Sequence, residues 1–229
     1  MYHSSSNCDR AKIKAIFKEK KMHSPLYSPQ EERLNIYSHF TGLILGVIGL
    51  IFLMLKPFTG WIPTLVNISY SLCVLALFLA STLYHSSTNP TRRKRLKIFD
   101  HCAIYLMIAG SYIPFLVTGI GDTWAYILLA AVWLLAITGI ILKLFFTGRF
   151  RLISTISYVL LGWVVVIAIK PLVNSLSSGA LLWLALGGVF YTLGAVLYQI
   201  KRIPFNHAIF HMFVLAGAYA HFHGIYWFL

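Results

Sequence analysis

The chain has 229 residues, 59% of them hydrophobic and 11% charged, with a mean hydropathy of +0.76. A water-soluble domain carries about a quarter of its residues as Asp, Glu, Lys or Arg. With less than half that share this chain cannot cover a water-facing surface, and disorder, coiled coil and collagen fall to the same arithmetic. The formal net charge of +13 reads as membrane-topology determinants and not as a nucleic-acid footprint, because no soluble face is left to present it.

Seven apolar runs bounded by charge, Pro or Gly predict membrane-spanning helices over roughly 37–56, 63–85, 98–118, 123–143, 152–170, 179–200 and 205–228. Helices are required because a lipid-exposed backbone must satisfy its hydrogen bonds within the segment. The expected fold is an all-α, polytopic seven-helix bundle. Residues 31–229 form its single transmembrane domain and residues 1–30 a basic tail. The tail opens on polar and basic residues without an apolar h-region, so it does not read as a cleavable signal. Its stretch AKIKAIFKEKK suits either a solvated orientation signal or contact with anionic lipid through Ile13, Ile16 and Phe17. Cys8, Cys73 and Cys102 show no metal spacing and sit on the tail and at different depths, so no structural disulfide is expected.

The positive charges set the orientation. Arg10, Lys12, Lys14, Lys18, Lys20, Lys21 and Arg33 precede or open the first span. Arg92, Arg93, Lys94, Arg95 and Lys97 lie between the second and third, Lys143, Arg149 and Arg151 between the fourth and fifth, and Lys201 and Arg202 before the seventh. Only Lys56 and Lys170 fall on the other side. The positive-inside rule then predicts a cytoplasmic N-terminus and an outer C-terminus, in a multi-pass protein of the bacterial cytoplasmic membrane.

An ionisable side chain inside a membrane helix is costly, so it is usually paired and often functional. The fourth, fifth and sixth runs contain neither acid nor histidine in their interiors, so any site must come from the first, second, third and seventh. On the predicted topology, His85 ends the second span and Asp100 opens the third. His207 and His211 open the seventh, and Glu31, Asn35 and His39 open the first. All fall in one layer near the inner face.

His207 and His211, at i and i+4, project from one helix face, a frequent arrangement for two metal ligands, and Ser81 and His85 repeat that offset. Three neutral imidazoles on two helices match the ligand count of a catalytic zinc with an open fourth position. Zinc would lower the pKa of a water there towards about 7. Asp100 would hold or deprotonate that water, and Ser81 would hydrogen-bond it or a developing oxyanion. The competing reading has these histidines bonding between helices.

Asn35 and His39 read equally as supports for the ligands or as packing residues. Glu31 and Glu32 read as an ordinary acidic first turn. His101, about 100° around the helix from Asp100, reads as interhelical or exposed. His221 and His223, well beyond His211, read as interfacial. Gly187, Gly188, Gly194 and Pro114 read as packing devices, and the aromatics mainly as lipid-facing bulk and interface anchors.

The ordered segments EERLNIYSH (31–39), STLYH (81–85), DHCAIYLMIAGSYIP (100–114) and HAIFHMFVLAGAYAHF (207–222) resemble the hemolysin III family, the bacterial branch of the progestin and adipoQ receptor (PAQR) superfamily. The resemblance runs from about Glu31 to Phe222. That superfamily is similar to alkaline ceramidases in a Ser, Asp and three-His pattern, here Ser81, Asp100, His85, His207 and His211. The resemblance implies seven helices with a cytoplasmic N-terminus, zinc on the three histidines, and hydrolysis of lipid amides. The short loops and tail offer no platform for a soluble protein ligand, leaving membrane lipid as the expected partner. Three functions compete: a membrane-embedded zinc hydrolase of lipid amides or esters, a cytolysin, and a non-enzymatic membrane-homeostasis sensor with structural zinc.

Overall fold

The computed structural model describes residues 27–57 and 60–229. Among them run seven helices long and apolar enough to cross a membrane: α1 Pro29–Leu55, α2 Trp61–Ser86, α3 Pro90–Ile120, α4 Thr123–Phe146, α5 Arg151–Ser175, α6 Ser178–Gln199 and α7 Asn206–Phe228. The amphipathic stretch expected in the tail and Cys8 lie outside the described residues; Cys73 and Cys102 are free thiols.

Two helices start about two turns earlier than hydropathy implies. Ser28 Oγ accepts the Glu31 N–H (3.1 Å) and Asn89 Oδ1 the Arg92 N–H (3.0 Å), each followed by a proline at the first helical position. Capping fixes these starts, and an apolar count discards polar first turns. Tyr27 to Gln30, counted with the tail by composition, therefore include the first turn of α1 and the residues that lead into it.

α2 packs between α1 and α3, α7 packs along α6 and α1, and α4 joins α3. α3 and α7 are the most enclosed helices, while α5 leaves most of its surface uncovered. Their enclosure puts the polar residues of α3 and α7 inside the bundle. Exposed Leu134, Ile141, Leu160 and Ile167 turn outward on α4 and α5, as a lipid-facing surface requires.

Two helices depart from regular geometry. Pro114 opens a π-helical stretch to Ile120 that ends at Gly121, whose φ is +72°; a ring without an N–H disturbs the ladder there. In α5, Val164–Ala168 tighten into a 3₁₀ turn, although the fifth apolar run reads as continuous. The Tyr112 hydroxyl of α3 fills this break: it lies 2.7 Å from the Leu161 and Gly162 carbonyls and accepts the Val165 N–H at 2.9 Å. A neighbouring helix thus satisfies backbone groups that lipid cannot.

The glycines of α6 separate into two kinds. A Cβ on Gly187 would stand 2.1 Å from the His221 ring and one on Gly194 2.7 Å from Phe213, whereas on Gly188 the nearest atom is 3.9 Å away. Gly187→Ala is expected to cost about 1–3 kcal/mol through overpacking, and Gly188→Ala less than about 0.5 kcal/mol. Unfolding in detergent, followed by tryptophan fluorescence, checks the difference.

Candidate metal centre

Four helix ends meet at the end of the bundle where α1 begins, the tail side. α2 delivers His85 from its last turn, and the first two turns of α7 deliver His207 and His211. All three are buried, at 2%, 7% and 2% exposure. The His207 Nε2 lies 3.1 Å from His85 Nε2 and 3.2 Å from His211 Nε2. A ligand atom from each of the three lies within 4.8 Å of the other two.

The outer nitrogens orient the rings. His85 Nδ1 donates to Glu32 Oε2 at 3.0 Å, and His211 Nδ1 faces the Asn35 carbonyl at 3.3 Å. Both partners only accept, so each ring carries a proton on Nδ1, which in the neutral tautomer leaves an Nε2 lone pair turned inward. Lone pairs converging on His207 Nε2 in a buried site need a shared proton or a cation between them. Tetrahedral Zn–N bonds of about 2.0–2.1 Å would set the nitrogens about 3.3 Å apart, close to the two separations from His207. His85, His207 and His211 can therefore hold a metal ion.

A surrounding layer holds these rings, and sequence reasoning found it only in part. Glu32 is more than a first-turn acid: besides His85 it accepts from Arg93 and from Asn35 Nδ2 (3.3 Å). Arg93 in turn donates to the His85 and Ser87 carbonyls. Glu31 Oε1 accepts the His207 backbone N–H at 3.2 Å, capping α7 from another helix. Ser38 Oγ lies 3.3 Å from His211 Nδ1. Tyr27 stacks on His207 at 4.6 Å between centroids, and burial pushes its phenol pKa well up, so it stays neutral. The available signal was spacing, since Glu32, Asn35 and His39 share one α1 face at i, i+3 and i+7. Glu31, one residue earlier, reaches the site through the His207 backbone N–H and not through a ring nitrogen.

His39 lies face to face with His211, centroids 3.5 Å apart and planes 12° apart. Its own nitrogens are buried without a partner among the described residues. Asp100 is 8% exposed and falls outside the convergent set, but with His207 and His211 it lines one cavity of about 970 Å³. His101 Nδ1 approaches Asp100 Oδ2 to 3.3 Å, without hydrogen-bond alignment; the ring folds back towards the carboxylate instead of pointing away. Ser81, one turn before His85, has an Oγ with no partner among the described residues. His221 corrects another expectation: it is 6% exposed, lines the cavity and places Nε2 3.3 Å from the Leu184 carbonyl, so it does not mark the interface. His223 is only half-buried, against Trp183.

Glu32→Ala should weaken metal binding by about 10–100-fold, the usual cost of losing a residue that orients a metal ligand. It should also cost about 1–3 kcal/mol by stranding Arg93. Competition with a metal-sensitive dye and thermal unfolding measure the two effects separately.

Comparison with known proteins gives a consistent result. The family profile described as "Haemolysin-III related" matches residues 27–222. The chain is 42% identical to the hemolysin-3 homolog of Bacillus subtilis (strain 168) over 200 residues, covering 86% of this chain and 93% of that one. It is 41% identical to hemolysin-3 of Bacillus cereus over 191 residues, covering 82% and 87%. It is 27% identical to the human monocyte to macrophage differentiation factor over 213 residues, covering 87% and 84%. With seven membrane-spanning helices and this profile over most of its length, the chain is a multi-pass integral membrane protein that belongs to the haemolysin-III-related family.

Proposed function

We propose that this protein is a zinc-dependent hydrolase of lipid amides or esters whose site lies near the cytoplasmic face, with the N-terminus inside. The observation that carries the reading is a convergent, buried imidazole trio, two of whose members, His207 and His211, line a cavity of about 970 Å³. Zinc held by His85, His207 and His211 would supply a Lewis acid and a more acidic water. Asp100, on the same cavity wall, would be the group to hold a water in the cavity, take its proton and return it to the departing nitrogen or oxygen. Ser81 serves as a hydrogen-bond donor from beneath His85. Leu77, Ile104, Met107, Phe115 and Leu184 give the acyl chain an apolar wall. The clustering of Lys and Arg at the tail side supports the orientation. The test is release of fatty acid from a panel of lipid amides and esters by purified protein, with and without a chelator. No chelator-sensitive release from any member would end the proposal.

The names of the two Bacillus relatives favour a second reading, membrane lysis. A water-filled path needs polar groups through the full thickness, whereas this cavity has largely apolar walls between Asp100 and His221. Dye-loaded liposomes are therefore expected to stay sealed when wild-type protein is added. Leakage equal in wild type and His211→Ala would instead favour a metal-independent cytolysin.

A further inference from the structure

The tail-side mouth of the cavity holds cations that the metal reading does not use. Lys97, Lys143, Arg149, Arg151 and Lys201 all line it, coming from α3, α4, the α4–α5 turn, α5 and the α6–α7 connection. Among the described residues none of them has a carboxylate within 4.0 Å, since the ion pairs there involve Glu32 and Asp100 with other partners.

Lys143 is the most telling. It is 5% exposed, yet among the described residues its ammonium meets the Ser154 hydroxyl and, at 5.7 Å, the face of Tyr158. A lysine that marked topology would snorkel to water. This one is bent inward onto the first turn of α5, whose N-terminal residue Phe150 is left-handed (φ +52°) and provides no side-chain cap. α7 starts on the same kind of aromatic residue, Phe205 (φ +55°), but Glu31 supplies its acceptor. At α5 no acid does so. The first turn of α5 therefore carries an ammonium on its Ser154 hydroxyl, where an acid would be the favoured neighbour of a helix N-terminus.

Other cations crowd the same place. Lys97 Nζ reaches to 3.9 Å from where a Cβ would stand on Gly148. Arg151 stacks on Tyr198 at 4.1 Å and donates to its carbonyl, leaving Nε buried without a partner. The Lys201 ammonium is lowered to about 8, by burial first and by Arg151 next. Lys143 is buried, Lys97 and Arg151 are half-buried, and Arg149 and Lys201 are exposed at the rim. Asp100 near Lys97 and Glu31 near Lys201 offset this charge only from beyond ion-pair distance, so an anion in the mouth would be drawn to all five.

We propose that Lys97, Lys143 and Arg151, with Arg149 and Lys201 around them, form a binding site for a phosphate-type anion at the mouth of the cavity. The site is independent of the metal centre and stands whether or not the protein hydrolyses a lipid. The anion is either the phosphate headgroup of a lipid whose chain enters the cavity or free inorganic phosphate.

The test uses full-length protein reconstituted with phosphatidylcholine alone or mixed with phosphatidic acid. Lipid retained after detergent washing is quantified, and thermal unfolding is followed with and without inorganic phosphate. Wild type should retain phosphatidic acid over phosphatidylcholine. Lys143→Gln and Arg151→Gln should each lose about tenfold or more of that preference, while Lys94→Gln, an exposed neighbour outside the mouth, should keep it. If Lys143→Gln does not fold, the exposed Arg149→Gln carries the test with a smaller loss in the same direction. Retention without a phosphate response identifies a lipid headgroup. Stabilisation by phosphate that displaces phosphatidic acid identifies the free anion. Absence of both effects in wild type, or equal loss in Lys94→Gln, overturns the site. Metal content measured on the same samples separates failure here from failure of the metal centre.

Discussion

Replacing His207 or His211 with alanine is expected to strip the protein of bound zinc, to less than a tenth of an equivalent by atomic spectroscopy. Each imidazole supplies one of three clustered nitrogens, with His207 Nε2 3.1 Å from His85 Nε2 and 3.2 Å from His211 Nε2. Two remaining ligands hold zinc far more weakly than three, by more than the roughly 100-fold that loss of an orienting neighbour costs. Glu31→Ala should keep its zinc, because its carboxylate contacts the His207 backbone N–H and no ring nitrogen. The variants should also lose the thermal stabilisation that zinc gives wild type, since metal that binds only the folded state adds its binding energy to folding. A full equivalent of zinc in both purified histidine variants would remove the metal centre and the hydrolase with it.

Asp100→Asn is expected to leave zinc bound and reduce turnover by about 10²–10⁴-fold, the usual contribution of a positioned general base. The carboxylate is not among the convergent ligands, so its loss should not empty the site. It is buried on the cavity wall, and the isosteric amide removes its basicity while keeping its shape. Kinetics at saturating lipid, read beside metal content, separate this from loss of zinc. Unchanged turnover with full metal would take Asp100 out of the chemistry.

Depth and company of the site could be read from residue order; orientation of side chains could not. Counting Lys and Arg put His85, His207 and His211 into one layer, because helices crossing a slab must return to the same height. The same count could not tell which of two adjacent glutamates turns towards His85. One residue along a helix is about 100° of rotation, and the answer depends on how α1 is rolled against α2. His101 went wrong for the same reason: its backbone direction is a helix property, but its ring swings back on Asp100 through side-chain torsions.

By itself the sequence determined the class of protein, the number of crossings and the set of imidazoles that meet. Each of these follows from transfer free energy and chain geometry, which act on every residue locally. Only the tertiary structure decided the helix starts at Ser28 and Asn89, the α5 break filled by Tyr112, the burial of His221 against Gly187, and the inward turn of Lys143 onto α5. All but the capped starts are contacts between distant segments. They are set by helix rotation and close packing, which no local pattern of polar and apolar residues encodes.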